Sequence, residues 1–226
     1  MTDILENINA IIFDMDGTLI DSMWIWPSID EEFYKKHSLT PPEDFGLKLE
    51  GKSCHEVAVL FKETFPMLQS SVEDIVDEWE TMTIDNYKRN APLKGGAYEF
   101  IRQMKSEGKK IGIATSNTRN LVDATLEALG VTELFDCIRT SGEVDFGKPK
   151  PDIYLSVASE MQVAPENCLV FEDIPMGILA GKNAGMRVCA IYDDFSKPQE
   201  AKKRELADYY IRDFSDIINE SYEILS

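Results

Sequence analysis

The chain lacks any long hydrophobic run, and no basic stretch leads into an apolar one at its start. Neither a membrane-spanning helix nor a secretory leader is therefore expected, and the expectation is a soluble, cytoplasmic protein. Cysteine is sparse. Cys54, Cys137, Cys168 and Cys189 lie far apart with no CxxC pair, which argues against paired-cysteine metal or redox motifs and leaves reduced thiols, two of them inside apolar runs. Histidine is scarcer still: His37 and His55 stand alone in helical sequence and read as surface or packing residues. Positive charge is also short, with 23 Lys and Arg against 41 Asp and Glu, a net charge of −18 over 226 residues. Such a balance disfavours nucleic acid and anionic membranes as partners. An anionic small molecule would instead need a local positive site, here a metal ion and a lysine. No internal repeat and no low-complexity tract occurs, and the length suits one domain carrying an insertion.

What the chain does have begins at Ala10-Ile11-Ile12-Phe13, an apolar run that feeds directly into Asp14-Met15-Asp16-Gly17-Thr18. This pattern predicts a buried strand ending in a tight turn, with Asp14 and Asp16 sharing one orientation and Met15 the other. Paired carboxylates at a strand end can hold a divalent cation, and one can attack while the other moves protons. An Asx-type turn that merely ends the strand is the plain alternative. Three further polar groups follow apolar runs. Thr115, with Ser116 and Asn117, closes Lys110–Ala114; Lys148 lies in Gly147-Lys148-Pro149-Lys150-Pro151; and Glu172-Asp173 ends Cys168–Phe171.

Between Met23 and Asn90 the texture changes to helical spacing with acidic faces. Val57, Leu60, Phe61 and Phe65 share one face, Ile75, Trp79 and Met82 another, and Pro41-Pro42 and Pro66 break the segment into separate helices. From Pro92 onward, helices and strands alternate. Apolar stripes at Ala97–Met104, Leu121–Leu129 and Ile153–Met161 predict helices; Ile138 and Arg187–Tyr192 predict strands; Ile217–Leu225 predicts a closing helix. Alternation of this kind implies a parallel sheet with helices on both faces, whose ligands sit beyond the carboxyl ends of the strands, where all four polar groups fall.

The ordered set of carboxylate pair, hydroxyl, lysine and carboxylate pair resembles the haloacid dehalogenase-like phosphohydrolase superfamily. The resemblance lies with the branch of β-phosphoglucomutase and the small sugar-phosphate phosphatases and covers nearly the whole chain. It implies an α/β fold: a Rossmann-like, doubly wound parallel sheet core over residues 1–20 and 91–226, with an α-helical cap inserted at 21–90. It implies a Mg²⁺-dependent phosphatase acting on a small phosphorylated metabolite through an aspartyl-phosphate. On that pattern Asp14 is the nucleophile and Asp16 the general acid and base. Thr115 holds the phosphoryl group, helped by backbone N–H groups near Ser116 and Asn117 at the following helix start, and Lys148 neutralises charge shared by Asp14 and phosphate. The Mg²⁺ ligands implied are the Asp14 side chain, the Asp16 carbonyl and Asp173. Glu172 could bind the metal, hold a metal-bound water or pair with Lys148. Lys150 is expected to be solvated, and Asp21 to stabilise a turn or hinge. Trp24, Trp26 and Lys52 are candidate substrate-binding residues of the cap.

The resemblance weakens where a mutase would need a cap histidine and a cap arginine. Trp26 stands at the first position, Gly51-Lys52-Ser53-Cys54 spans the second, and lysine lacks the bidentate fork of arginine. Hydrolysis is therefore favoured over mutase activity. A phosphonatase would need a Schiff-base lysine, for which Lys48 and Lys52 are the candidates. A phospho-accepting receiver domain is disfavoured by the Asp14-x-Asp16 spacing and the helical insertion. A catalytically silent binding protein would be expected to lose one of Asp14, Asp16, Lys148 or Asp173, and all four are present. A monomer is the simplest assembly.

Overall fold

This computed structural model describes residues 3–43, 45 and 54–225. The calls on Lys48 and Lys52 lie outside the described residues. A seven-stranded sheet runs in the order β3-β2-β1-β4-β5-β6-β7. Its strands are β1 (Ala10–Phe13), β2 (Lys110–Thr115), β3 (Cys137–Thr140), β4 (Cys168–Glu172), β5 (Arg187–Ile191), β6 (Tyr209–Ile211) and β7 (Glu223–Ile224). The first six pair in parallel, and β7 joins β6 antiparallel.

The uninterrupted apolar runs of β1 and β4 follow from burial on both faces, the usual state of a parallel strand covered by helices. Ala10 and Ile12 point to one side with Cys168 and Val170, packing with Val157 of α6 (Asp152–Glu160) and Ile178 of α7 (Pro175–Asn183). Phe13 and Phe171 point to the other side, stacked 5.4 Å apart. There they meet Phe100 of α4 (Ala97–Ser106) and Phe214, which precedes α9 (Ser215–Ile218). All four rings are fully buried. Helices α5 (Arg119–Leu129) and α8 (Glu200–Leu206) complete the described helices after residue 91. Cys137, Cys168 and Cys189 are buried free thiols.

Two compact units divide the chain, Met1–Met23 with Ala91–Ser226, and Trp24–Asn90. The second contains α1 (Ile25–Lys36), α2 (Cys54–Thr64) and α3 (Val72–Asn90). Phe33, Phe61 and Trp79 interlock in its core, at centroid spacings of 4.9 to 5.6 Å. Ser71 and Asp74 start α3 by reciprocal capping: each side chain accepts the backbone N–H of the other, at 3.0 and 2.9 Å. In the first unit, Ile20 bridges Leu93 antiparallel, and the N–H of Asp21 donates to Pro92 O (2.9 Å), so the outgoing and returning segments lie side by side. No described helix is long and apolar enough to cross a membrane.

The expected closing helix over Ile217–Leu225 is corrected. Helix α9 stops at Ile218, Glu220 takes a positive φ of 54°, and Glu223–Ile224 form β7 instead. Two contacts override the helical spacing. Arg204 forks onto the Glu223 carboxylate (2.8 and 3.1 Å), and Asp216 accepts from both the Arg212 N–H and the Ser221 hydroxyl. Edge pairing with β6 then outweighs the weak propensity of so short a segment.

Phe100→Ala is expected to destabilise the protein by about 3–5 kcal/mol, because no neighbour can refill the aromatic cluster. The midpoint of a urea denaturation curve checks it.

Candidate active site

The parallel register decides where the carboxylates meet. Phe13 lies opposite Phe171, so the next residues, Asp14 and Glu172, emerge side by side at the carboxyl ends of β1 and β4. The ladder reaches Asp14, whose N–H donates to Phe171 O (3.0 Å), before the chain turns at Gly17 with φ of +71°. A Cβ at Gly17 would lie 2.5 Å from Asp173 Oδ2, so only glycine lets that loop and the Asp173 carboxylate share the space. The Thr18 hydroxyl donates to Asp173 Oδ1 (3.2 Å).

Lys148 enters from the loop before α6. Its ammonium donates to Asp14 Oδ1 (2.5 Å), Glu172 Oε1 (2.6 Å) and the Ala114 carbonyl (3.1 Å), which uses all three of its N–H groups. The same Glu172 oxygen accepts the hydroxyl of Tyr154 (2.6 Å), and Oε2 accepts the Asp173 N–H (3.2 Å). Lys148, Asp14 and Glu172 have side-chain exposures of 8%, 12% and 0%, so these charges meet largely away from water.

Three buried carboxylates, two of them on the Lys148 ammonium, leave the cluster short of positive charge. Burial pushes the Asp14 carboxyl well above the usual range; Lys148 opposes this, while Glu172 and Asp173 reinforce it. Burial likewise raises Asp173 to about 7, with Glu172 and Asp193 adding to the rise and Lys203 and Thr18 opposing it. Burial works against the Lys148 charge, but Asp14 and Glu172 outweigh it and hold Lys148 above an ordinary lysine. Carboxylate oxygens of Asp14, Glu172 and Asp173 lie within 4.8 Å of one another. This donor set fits a hard divalent cation. Both Glu172 oxygens already accept hydrogen bonds, whereas Asp14 Oδ2 and Asp173 Oδ2 accept none from the described residues.

Asp16 engages different partners from Asp14. The buried Ser22 hydroxyl donates to Asp16 Oδ1 (2.5 Å), and the Asn117 side-chain amide donates to Oδ2. Thr115 closes β2 and is buried. Its Oγ1 accepts the Asn117 N–H (3.2 Å), leaving the hydroxyl proton to point elsewhere. Ser116 is exposed, and its carbonyl accepts the Ser141 hydroxyl (3.0 Å). Lys150 is exposed. Asp14, Asp16, Thr115, Asn117, Lys148, Glu172 and Asp173 thus gather at one end of the sheet. Trp24 and Trp26 stand at the start of α1 in the other unit, exposed at 48% and 39%, with Trp26 edge-on to Tyr87.

Residue-type reasoning overlooked Ser22, Thr18 and Tyr154 as polar partners of the acidic groups. Thr18 and Ser22 lie inside the first acidic stretch, and a tyrosine on the apolar stripe beside Lys148 was the available signal for Tyr154.

The profile of haloacid dehalogenase-like hydrolases matches residues 8–185. The chain belongs to this family. Among haloacid dehalogenase-like hydrolases and their relatives, it is similar to the bifunctional riboflavin kinase/FMN phosphatase of Arabidopsis thaliana. That match is 30% identical over 219 residues, 96% of this chain but 56% of the relative, so the chain spans little more than half of that protein. Hexitol phosphatase B of Escherichia coli is 28% identical over 190 residues, covering 80% of this chain and 82% of that one. In fold, the chain resembles CbbY from Rhodobacter sphaeroides, solved in complex with phosphate. The TM-score is 0.76 at 24% identity, over 93% of this chain and 96% of that one.

Within this haloacid dehalogenase-like site, the first turn of α7 packs directly on Glu172: a Cβ at Gly177 would fall 1.8 Å from Oε1. Gly177→Ala must therefore displace the carboxylate that holds Lys148. A loss of about 1–3 kcal/mol in stability is expected, measured by thermal or urea melting.

Proposed function

We propose that the chain is a Mg²⁺-dependent phosphatase that hydrolyses a small phosphate monoester of the sugar- or polyol-phosphate type. The observation that carries this reading is Lys148 bridging Asp14 and Glu172, with Asp173 beside them and Asp16 two residues beyond. A carboxylate attacks phosphorus only where the charge of both partners is offset, and this cluster is arranged around that need. The named activities of the relatives, on FMN and hexitol phosphates, are of the same kind.

In the first step an oxygen of Asp14 forms a bond to phosphorus as the bond to the leaving oxygen breaks. Asp16 gives that oxygen its proton, and an aspartyl-phosphate results. In the second step Asp16 takes a proton from water, whose oxygen attacks phosphorus and frees Asp14 with release of inorganic phosphate. Lys148 offsets the charge shared between Asp14 and the phosphoryl oxygens. The Thr115 hydroxyl, which accepts from the Asn117 N–H, is left to donate to a phosphoryl oxygen. The side chains of Asp14 and Asp173 and the Asp16 carbonyl would hold Mg²⁺, which when bound supplies positive charge to the phosphate. Glu172 acts on Lys148 and the Asp173 backbone. Trp26 carries no group able to exchange a proton at neutral pH, which favours water over a second sugar phosphate as acceptor.

Phosphate release from a panel of phosphorylated metabolites, with Mg²⁺ or with chelator, tests the proposal. Release is expected with Mg²⁺ only, and Asp14→Asn should reduce it to the buffer blank; undiminished turnover in Asp14→Asn would refute the mechanism. Asp173→Asn is expected to raise the half-saturating Mg²⁺ concentration at least about tenfold, read from a metal titration of the same assay.

A further inference from the structure

We infer that Tyr154 is a positioning residue which, through Glu172, sets how Lys148 divides its charge between Glu172 and the reacting Asp14. The inference rests on the proposed attack by Asp14 on phosphate.

A carboxylate only accepts, so the Tyr154 hydroxyl is the donor in its 2.6 Å contact with Glu172 Oε1. Tyr154 and Glu172 are both fully buried, so water cannot replace that donor if it is lost. Lys148 donates to the same oxygen from 2.6 Å, and its ammonium lies 5.2 Å from the centre of the Tyr154 ring. The tyrosine therefore touches both members of the pair, one through its hydroxyl and the other through its face.

The consequence lies in how the lysine is shared. Its three N–H groups are taken by Ala114 O, Asp14 and Glu172, so an arriving phosphoryl oxygen must draw one of them away. Glu172 is the competitor for that charge. A second donor on Oε1 satisfies part of the Glu172 charge and loosens its hold on Lys148. Without the hydroxyl, a buried carboxylate left one donor short takes its compensation from the lysine. Less positive charge then remains for Asp14 and the transferring phosphoryl group. Phenylalanine fills the same space, so packing alone does not call for tyrosine; the hydroxyl is the added feature.

Steady-state kinetics of Tyr154→Phe, Glu172→Gln and the double variant test this. Tyr154→Phe is expected to lower kcat about tenfold while KM stays within about twofold, and to weaken vanadate inhibition by the factor seen in kcat. In the Glu172→Gln background, removing the hydroxyl should change kcat less than about twofold, because its route of action is gone. An unchanged kcat in Tyr154→Phe, a loss carried by KM, or equal losses in both backgrounds would overturn the inference. If Tyr154→Phe shows no cooperative melt, 3-fluorotyrosine at position 154 keeps the ring and strengthens the donor; an unaltered kcat there overturns it equally. A wild-type protein that releases no phosphate refutes the phosphatase reading instead. Tyr154 is then judged by calorimetric binding of vanadate with Mg²⁺, which Tyr154→Phe must weaken about tenfold.

Discussion

Everything at the end of this sheet is organised around one constraint: three buried carboxylates must coexist, and the Lys148 ammonium bridges two of them. With carboxylate oxygens within 4.8 Å of one another, two unit like charges would repel by roughly 3 kcal/mol or more at an effective dielectric constant of 20. Lys148 relieves two of them by bridging Asp14 and Glu172, and Thr18 steadies Asp173. Burial first, and the neighbouring carboxylates second, make Asp14 and Asp173 bind protons more readily than ordinary carboxylates. The remaining deficit of positive charge is why the site suits a cation and a phosphate together. A cluster built only for stability would replace charge by packing, since buried ion pairs seldom outperform apolar neighbours.

The frame that holds this repulsion in place lies directly beneath it. Phe13 and Phe171 precede Asp14 and Glu172, stack on one another, and are enclosed by Phe100 and Phe214. The aromatic floor fixes the relative height of the two strand ends. Side chains alternate along a strand, so these rings face the side of the sheet opposite to the Asp14 and Glu172 side chains. Burial, the largest cause of the Asp14 shift, is completed on that other side, where Tyr154 of α6 and Gly177 of α7 close on Glu172. The rings stiffen the sheet, and the opposite face supplies the low dielectric in which Lys148 acts strongly.

Much of this was legible in the residues because strand ends leave a clear signature. An apolar run followed by a polar group marks both the strand and the rim, and Asp14, Thr115 and Glu172 all stand at such junctions. Side-chain partners were less legible. The Asn117 side-chain amide donates to Asp16, a partner that depends on how β2 and the turn after β1 are juxtaposed. Ser22 gave no signal of its own and holds the other Asp16 oxygen. Tyr154 was hidden by its own ring, which satisfies an apolar stripe whether or not the hydroxyl has a partner. The chain end was misread for a different reason. Ile217, Ile218 and Leu225 keep helical spacing, but the Arg204 fork on Glu223 and the open edge of β6 are contacts distant in sequence.

The division of the chain into two units has a chemical counterpart. Asp14, Asp16, Thr115, Lys148, Glu172 and Asp173 all belong to the unit formed by Met1–Met23 and Ala91–Ser226, as do Thr18, Ser22, Asn117 and Tyr154. The helical unit, Trp24–Asn90, supplies none of the charged groups assigned to phosphoryl transfer. Its described core is an aromatic cluster that explains its stability without reference to the reaction. A phosphoryl group presents nearly the same oxygens whatever it is attached to, so the sheet end can remain fixed while the attached group varies. Substitutions at the sheet end cannot change Asp14 or Glu172 without unbalancing the other, because both share Lys148.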